Sequence, residues 1–188
     1  MPQEGNVTAT LGSFFYKTNF QDSPTGATSP NLAGFSLIVL GDINTIGSLE
    51  IGLFDLYKIY FRDELGKYIA VEKEVMHITM GYRYWINPYF STSLSFYSSY
   101  SLGEAKLIHS DFAPGLEIDT SAQDTTEYGF DWAVQGDVWS NEKWAVVGEV
   151  RYSLSVTSKP AEKSDHYGFI LGLRYALQEK LADGTLKK

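Results

Sequence analysis

Residues 127–157 read as two long strands joined by a tight break, and their alternation restricts the fold more than any other stretch of the chain. Tyr128, Phe130, Trp132, Val134, Gly136 and Val138 fall on one face, and Glu127, Gly129, Asp131, Ala133, Gln135 and Asp137 on the other. After Ser140-Asn141-Glu142-Lys143 the pattern resumes, with Trp144, Val146, Gly148, Val150, Tyr152, Leu154 and Val156 opposite Ala145, Val147, Glu149, Arg151, Ser153, Ser155 and Thr157. Successive side chains leave a strand on opposite sides, so period two is a strand signal. Soluble strands run to about five or six residues. A strand tilted across a bilayer needs roughly nine to eleven, and these are long enough. Their apolar faces carry aromatic residues near the ends and their opposite faces carry charge, the reverse of a soluble barrel that stores apolar side chains inside.

The rest of the composition agrees. A chain of 188 residues suits one domain. Thirteen Tyr, 11 Phe and 17 Gly against three Met favour strands and turns over helices. Mean hydropathy is −0.17 and no run of about eighteen apolar residues is present, which excludes a transmembrane helix but not a barrel, because alternation averages out. A net charge of −8 argues against nucleic acid as partner. Cysteine is absent, so there is no disulfide framework or thiolate chemistry. Residues 1–6 lack a basic region followed by an apolar core; for an exported protein the expectation is a leader already removed.

Taken in order, the first strand is expected over 6–19, with Val7, Ala9, Leu11, Ser13 and Phe15 outward and Phe14 and Tyr16 inward. Residues 21–31, rich in Ser, Pro, Thr and Gly, make a loop. A second strand over 32–40 is apolar on both faces, so both registers stay open. After the turn at 41–45, a third strand over 49–61 turns Ile51, Leu53, Tyr57, Ile59 and Phe61 outward and Glu50, Gly52, Phe54, Leu56, Lys58 and Tyr60 inward, leaving outward Asp55 unexplained. A short charged loop at 62–67 precedes a fourth strand over 68–85, with Met76, Ile78, Met80, Tyr82 and Tyr84 opposite His77, Thr79, Gly81 and Arg83. Across the Ile86-Asn87-Pro88 turn, a fifth strand over 89–102 sets Phe90, Leu94, Phe96, Tyr100 and Leu102 against a row of serines. An acidic loop is expected over 103–126 and a polar loop over 159–165. The eighth strand places Tyr167, Phe169, Leu171, Leu173, Tyr175 and Leu177 outward.

The expectation is an all-β, eight-stranded, antiparallel up-and-down transmembrane β-barrel over 6–177, followed by a polar tail over 178–188. Long and tight connections alternate, so one rim carries loops and the other turns, with both termini at the turn rim. Trp85, Tyr89, Trp139, Trp144 and Tyr175 are expected to girdle the periplasmic interface, and Phe61, Tyr68, Tyr100, Tyr128 and Tyr167 the outer one. In this pattern the chain resembles the small bacterial outer-membrane barrels of the OmpA, OmpX and OmpW type. The closing strand resembles their C-terminal assembly signal, though the chain runs on past Leu177 where such chains usually end on an aromatic. The resemblance implies an outer-membrane location, lipid as the surrounding partner, and a monomer.

Inside, Glu50, Glu127, Asp131, Asp137 and Glu149 face Lys58, Arg83, Arg151 and Arg174. Eight strands enclose a space just wide enough for side chains, and buried charges must pair, so a filled, ion-paired interior is favoured over an ion path. The apolar inward residues Phe14, Phe54, Leu56, Val147 and Ile170 suit filler, or a small pocket of the kind the W-type resemblance implies for hydrophobic solutes. Catalysis needs a nucleophile, base and orienting carboxylate that converge; the consecutive His109-Ser110-Asp111 cannot, while His77 reads as an inward structural residue and His166 as a rim residue. No metal spacing or cofactor fingerprint is present. Asp111, Glu117, Asp119 and Asp124 lack the spacing of a Ca²⁺ loop and read as solvated loop residues that recognise a surface partner or lipopolysaccharide. A soluble lipocalin-like barrel would need polar outward faces and a Gly-x-Trp motif, and shows neither. The functional expectation is therefore structural or surface-interaction work, with a narrow carrier or a lipid-modifying enzyme as alternatives.

Overall fold

The computed structural model describes residues 2–19, 28–64, 66–113, 125–157 and 162–178. Each stretch of alternation is an antiparallel strand: β1 (Val7–Thr18), β2 (Leu32–Asp42), β3 (Gly47–Glu64), β4 (Lys67–Asn87), β5 (Phe90–Ser110), β6 (Glu127–Ser140), β7 (Trp144–Ser155), the two-residue β8 (Glu162–Lys163) and β9 (His166–Gln178). The ladder runs β2-β1-β9-β7-β6-β5-β4-β3 and closes through β2–β3, giving a barrel of eight strands, with β8 added against β3 at Phe61 and Arg62. Closure leaves no sheet edge around the barrel wall.

One rim consists of tight turns, and asparagine builds each of them. Asn44 Oδ1 accepts from Ile46 N at 2.9 Å, Asn87 Oδ1 from Tyr89 N at 2.9 Å, and Asn141 Oδ1 from Lys143 N and Trp144 N at 2.9 and 2.8 Å. A side-chain carbonyl that mimics the backbone lets a turn of two to four residues satisfy its own N–H groups. The opposite rim is reached by strands of very different length. β3, β4 and β5 have 18, 21 and 21 residues against 11 to 14 for the other barrel strands, and so project as a wing.

Side-chain parity follows the ladder. The outward row Leu11, Ile51, Met80, Leu94, Phe96, Phe130, Trp132, Val150 and Leu171 is exposed, while its neighbours in sequence are buried or, at Gly12 and Gly81, half-buried. The register of β2, open from sequence, is set by pairing with both neighbours: Ser36, Ile38 and Leu40 point inward, and Ser36 Oγ donates to Gly12 O. Asp55 also finds a place. It stands on the last β2–β3 rung, opposite Phe35, and the outward positions above it on β4 are Glu74 and Glu72, so it lies where the apolar band ends.

Four expectations are corrected. Trp85 belongs to the parity of Arg83 and is 6% exposed, an inward residue rather than part of an aromatic girdle. Ile59 and Phe61 have outward parity yet are buried, because β3 there has left β2 and gained β8 on that edge. Residues 103–110 are strand, not loop, paired with β4 from Glu72–Lys106 to Ile69–Ser110. At the charged turn the strands likewise run on until Glu64 pairs with Lys67, with Gly66 at φ 74°. The expected loop at 21–31 and the tail after Gln178 lie largely outside the described residues.

Candidate functional site

Among the described residues, charged side chains from most of the strands meet in the lumen, and they do so in three layers. In the middle layer Arg83 from β4 lies between two carboxylates, 2.6 Å from Glu50 of β3 and 2.6 Å from Glu149 of β7. Arg151, on the same face of β7, bonds Glu50 at 2.9 Å, Glu149 at 2.8 Å and Asp131 at 3.0 Å, and its guanidinium lies 4.9 Å from the Phe54 ring centre. Serines of β5 fill the remaining capacity: Ser91 Oγ accepts from Arg83 at 3.0 Å, and Ser95 donates to Glu50 at 3.4 Å. All five charged groups are at most 1% exposed. Small hydroxyl side chains are what allow two guanidinium groups to sit side by side in so narrow a barrel.

Toward the long-strand rim, Lys58 Nζ meets Glu127 at 2.6 Å, and Tyr97 Oη and Ser164 Oγ donate to the same carboxylate at 2.6 and 2.8 Å. Toward the turn rim, Arg174 pairs with Asp137, and its guanidinium lies 5.3 Å from the Trp85 ring centre. Trp85 in turn donates to Ser48, and Ser48 to Asp42, at 2.9 and 2.6 Å. The structure thus brings Glu50, Lys58, Arg83, Glu127, Asp131, Asp137, Glu149, Arg151 and Arg174 into one interior. Phe14, Phe54, Leu56 and Ile170 share a buried cluster with Tyr16, Ile38, Leu40, Val75 and Trp85; Val147 is buried apart from it, near Gly172. Rings of Phe14, Tyr16, Phe54 and His166 lie 5.0 to 6.1 Å apart in contacting pairs, so the space between them is filled by side chains.

Two interior residues, Tyr97 and His166, carry no expectation of their own from sequence or a wrong one, while His77 is inward as expected. Tyr97 is fully buried inside, on the parity of the β5 serines opposite the outward Phe96. His166, expected at the rim, is 1% exposed and packs 5.4 Å from His77. His77 bridges Ser99 Oγ and Asp131 Oδ2, each at 3.2 Å. That order of hydroxyl, imidazole and carboxylate is the one used in acyl transfer, but Ser99 is 2% exposed and Asp131 is shared with Arg151, so no acyl group can reach the hydroxyl. Among the described residues no group of three His, Asp or Glu could hold a metal ion.

Of the loop residues expected to recognise partners, Glu117, Asp119 and Asp124 lie outside the described residues. Asp111 closes the wing tip, accepting from Tyr68 N at 3.1 Å and lying 2.9 Å from His109 Nε2, whose ring stacks on Tyr68 at 4.2 Å. The Tyr68 N–H, aided by His109, holds the Asp111 carboxyl below its ordinary value.

A closed eight-stranded barrel with an apolar outer band and a charged interior is the architecture of small outer-membrane barrels, and solved structures share it. No family model matches the chain, and no curated protein does. The chain is similar in fold to the outer membrane protein OprG of Pseudomonas aeruginosa, at 11% identity over 94% of this chain and 97% of that one, with a TM-score of 0.62. It is similar also to the attachment invasion locus protein Ail of Yersinia pestis, at 13% identity over 92% of this chain and 100% of that one, with a TM-score of 0.51. Ail has also been solved with the heparin analogue sucrose octasulfate, with the same identity, coverage and TM-score.

Proposed function

We propose that the protein is an outer-membrane anchor with a closed lumen that holds a recognition wing above the cell surface. In this orientation the asparagine turns face the periplasm and the wing faces out. The observation that carries the reading is the contrast along β5. Up to Ser99–Glu127 the strand is paired with both β4 and β6, and from there to Ser110 it pairs, among the described residues, with β4 alone. Eleven residues of strand therefore stand clear of the barrel wall. Two irregularities in their pairing, between Glu72 and Glu74 and between Ala70 and Val71, put extra residues of β5 opposite β4. Bulges of this kind blunt an edge against strand addition, which leaves recognition to side chains. Leu107 and Ile108, 58% and 43% exposed, are the apolar contacts on offer.

The middle ion layer supports the other half of the reading. Two arginines and three carboxylates cross the whole interior, and opening a path between them would strip buried charges of their partners. The heparin analogue on Ail suggests a polyanion as partner, but over residues 62–74 and 103–111 the acidic Asp63, Glu64, Glu72, Glu74, Glu104 and Asp111 outnumber the basic Arg62, Lys67, Lys73 and Lys106. A protein or glycolipid surface with apolar character fits it better.

The test uses cells that display the full chain and cells that display a variant with residues 103–110 replaced by a Gly-Ser repeat, both washed over an immobilised mixed serum-protein coat. Retention that falls for the variant, with the barrel still heat-modifiable on a gel, is the expected result. Equal retention would remove the wing from the account.

A further inference from the structure

The outward wall of the barrel carries its few charges unevenly. Its acids, Asp55, Glu72 and Glu74, stand on β3 and β4 where the apolar band ends. Among the described outward positions, the wing apart, the one cation is Lys17 of β1, near the long-strand rim. No carboxylate among the described residues pairs with it. On its rung, across β9 and β7, stand Tyr167 and Tyr152, and the Asp165 carboxylate that comes next to them is taken by Ser155 N and Tyr152 Oη.

Beside Lys17 an open hollow of about 680 Å³ lies on the outer face. The ladder places it: Phe15 of β1 pairs with Phe169 of β9, and Phe169 with Val150 of β7, one rung nearer the turn rim than Lys17 and Tyr167. Leu32, at the start of β2, forms the other side. Phe15, Val150, Tyr167 and Phe169 are 43 to 61% exposed, so the hollow is open to whatever surrounds the barrel. A glycine shapes it. A Cβ at Gly148 would stand 3.2 Å from the Phe169 ring, so that ring leans over Gly148 toward the turn rim and leaves space on the Lys17 side.

We propose that the hollow seats an acyl chain of a membrane lipid whose head ends in a phosphate monoester, with Lys17 paired to the phosphate. The apolar band of such a barrel faces lipid chains, and a lysine stem laid along apolar surface carries its ammonium to the head-group level, where a compact cation suits a phosphate. A zwitterionic head brings its own cation to the same place and gains less. Near Asp55, Glu72 and Glu74 the phosphate is repelled, so a lipid of this kind gathers on the β1–β9 face instead of spreading round the barrel.

The experiment places the ¹⁵N-labelled full chain in phosphatidylcholine nanodiscs with a trace of lipid carrying a nitroxide on its acyl chain, either phosphatidic acid or phosphatidylcholine, and reads the broadening of amide resonances. Phe15 and Phe169 report the hollow; the exposed, outward Leu94 and Phe96 of β5 are the internal control. The expected result is broadening at Phe15 and Phe169 about fivefold stronger with labelled phosphatidic acid than with labelled phosphatidylcholine, and equal broadening by the two at Leu94 and Phe96. Lys17→Gln should remove the excess. Val150→Trp, which fills the hollow with Lys17 still in place, should reduce it, and raised salt should shrink it without any substitution. Equal broadening by the two lipids at Phe15 and Phe169, the same excess at Leu94, or an excess that survives Lys17→Gln, Val150→Trp or high salt overturns the assignment. The wing variant should show the same excess as the unaltered chain, so failure of the wing reading leaves this result standing.

Discussion

Below the Ser99–Glu127 rung, β5 is paired on both sides and Ser91, Ser93 and Ser95 are bonded to Arg83 or Glu50. Above it the same strand exposes Leu107 and Ile108 and pairs with β4 only, among the described residues. The lower part has its side chains dictated from both faces, by lipid outside and by ion pairs inside. The upper part pairs with β4 alone among the described residues, so its other edge lacks that constraint. In the function proposed above, stability and recognition fall to two lengths of one strand, and substitutions should separate them.

The largest effect is expected from Arg83→Met, which leaves Glu50 and Glu149 short of a partner in a dry interior. Breaking a buried pair from one side costs about 3–5 kcal/mol, read as a lower urea midpoint for the barrel refolded in lipid. Lys58→Met should cost less, about 2 kcal/mol, because Tyr97 and Ser164 still donate to Glu127. Adding Glu127→Gln to it should restore most of the loss, since removing both charges removes the desolvation problem. If the double variant is as unstable as the sum of its singles, the upper ion pair is not the unit described. Leu107→Ser on the wing should shift stability by no more than about 0.5 kcal/mol; a loss comparable to that of Lys58→Met would mean that the wing is part of the core.

The smallest and most local effect concerns the wing tip under acid. Asp111 titrates below its ordinary value in the folded chain, so its contribution is present above the usual aspartate range, near pH 4, and is lost as pH falls through the folded value. Proton resonances of Tyr68 and His109 should report loss of the stacked arrangement below about pH 4. In Asp111→Asn that acid-dependent step should be missing. A step that persists in the variant would assign it to another group.

The inward and outward sets of β1, β3, β6, β7 and β9 could be read from alternation because lipid and lumen impose opposite demands on successive residues, as at Glu149-Val150-Arg151. Where one of those demands lapses, so does the signal. β2 is apolar on both faces because Ile38 and Leu40 fill the lumen beside Phe54, and its parity depends on ladders that only the closed barrel defines. Residues 103–110 meet neither lipid nor lumen, and bulges break what alternation remains, so they read as loop. Trp85 looked like a girdle residue by its type, yet two residues after Arg83 a side chain must face the lumen, and there it covers Arg174. The pairing of His77 with Asp131 and Ser99 joins three strands, and no spacing along the chain encodes it.

The central claim, a lumen closed by the Glu50–Arg83–Glu149–Arg151 layer, is tested most directly by conductance across planar lipid bilayers of the purified, heat-modifiable barrel. The account predicts a silent membrane for the unaltered chain at neutral pH. Discrete, steady current steps from that chain would contradict it, because ions would then be passing where two buried guanidinium groups and their carboxylates are held to fill the barrel.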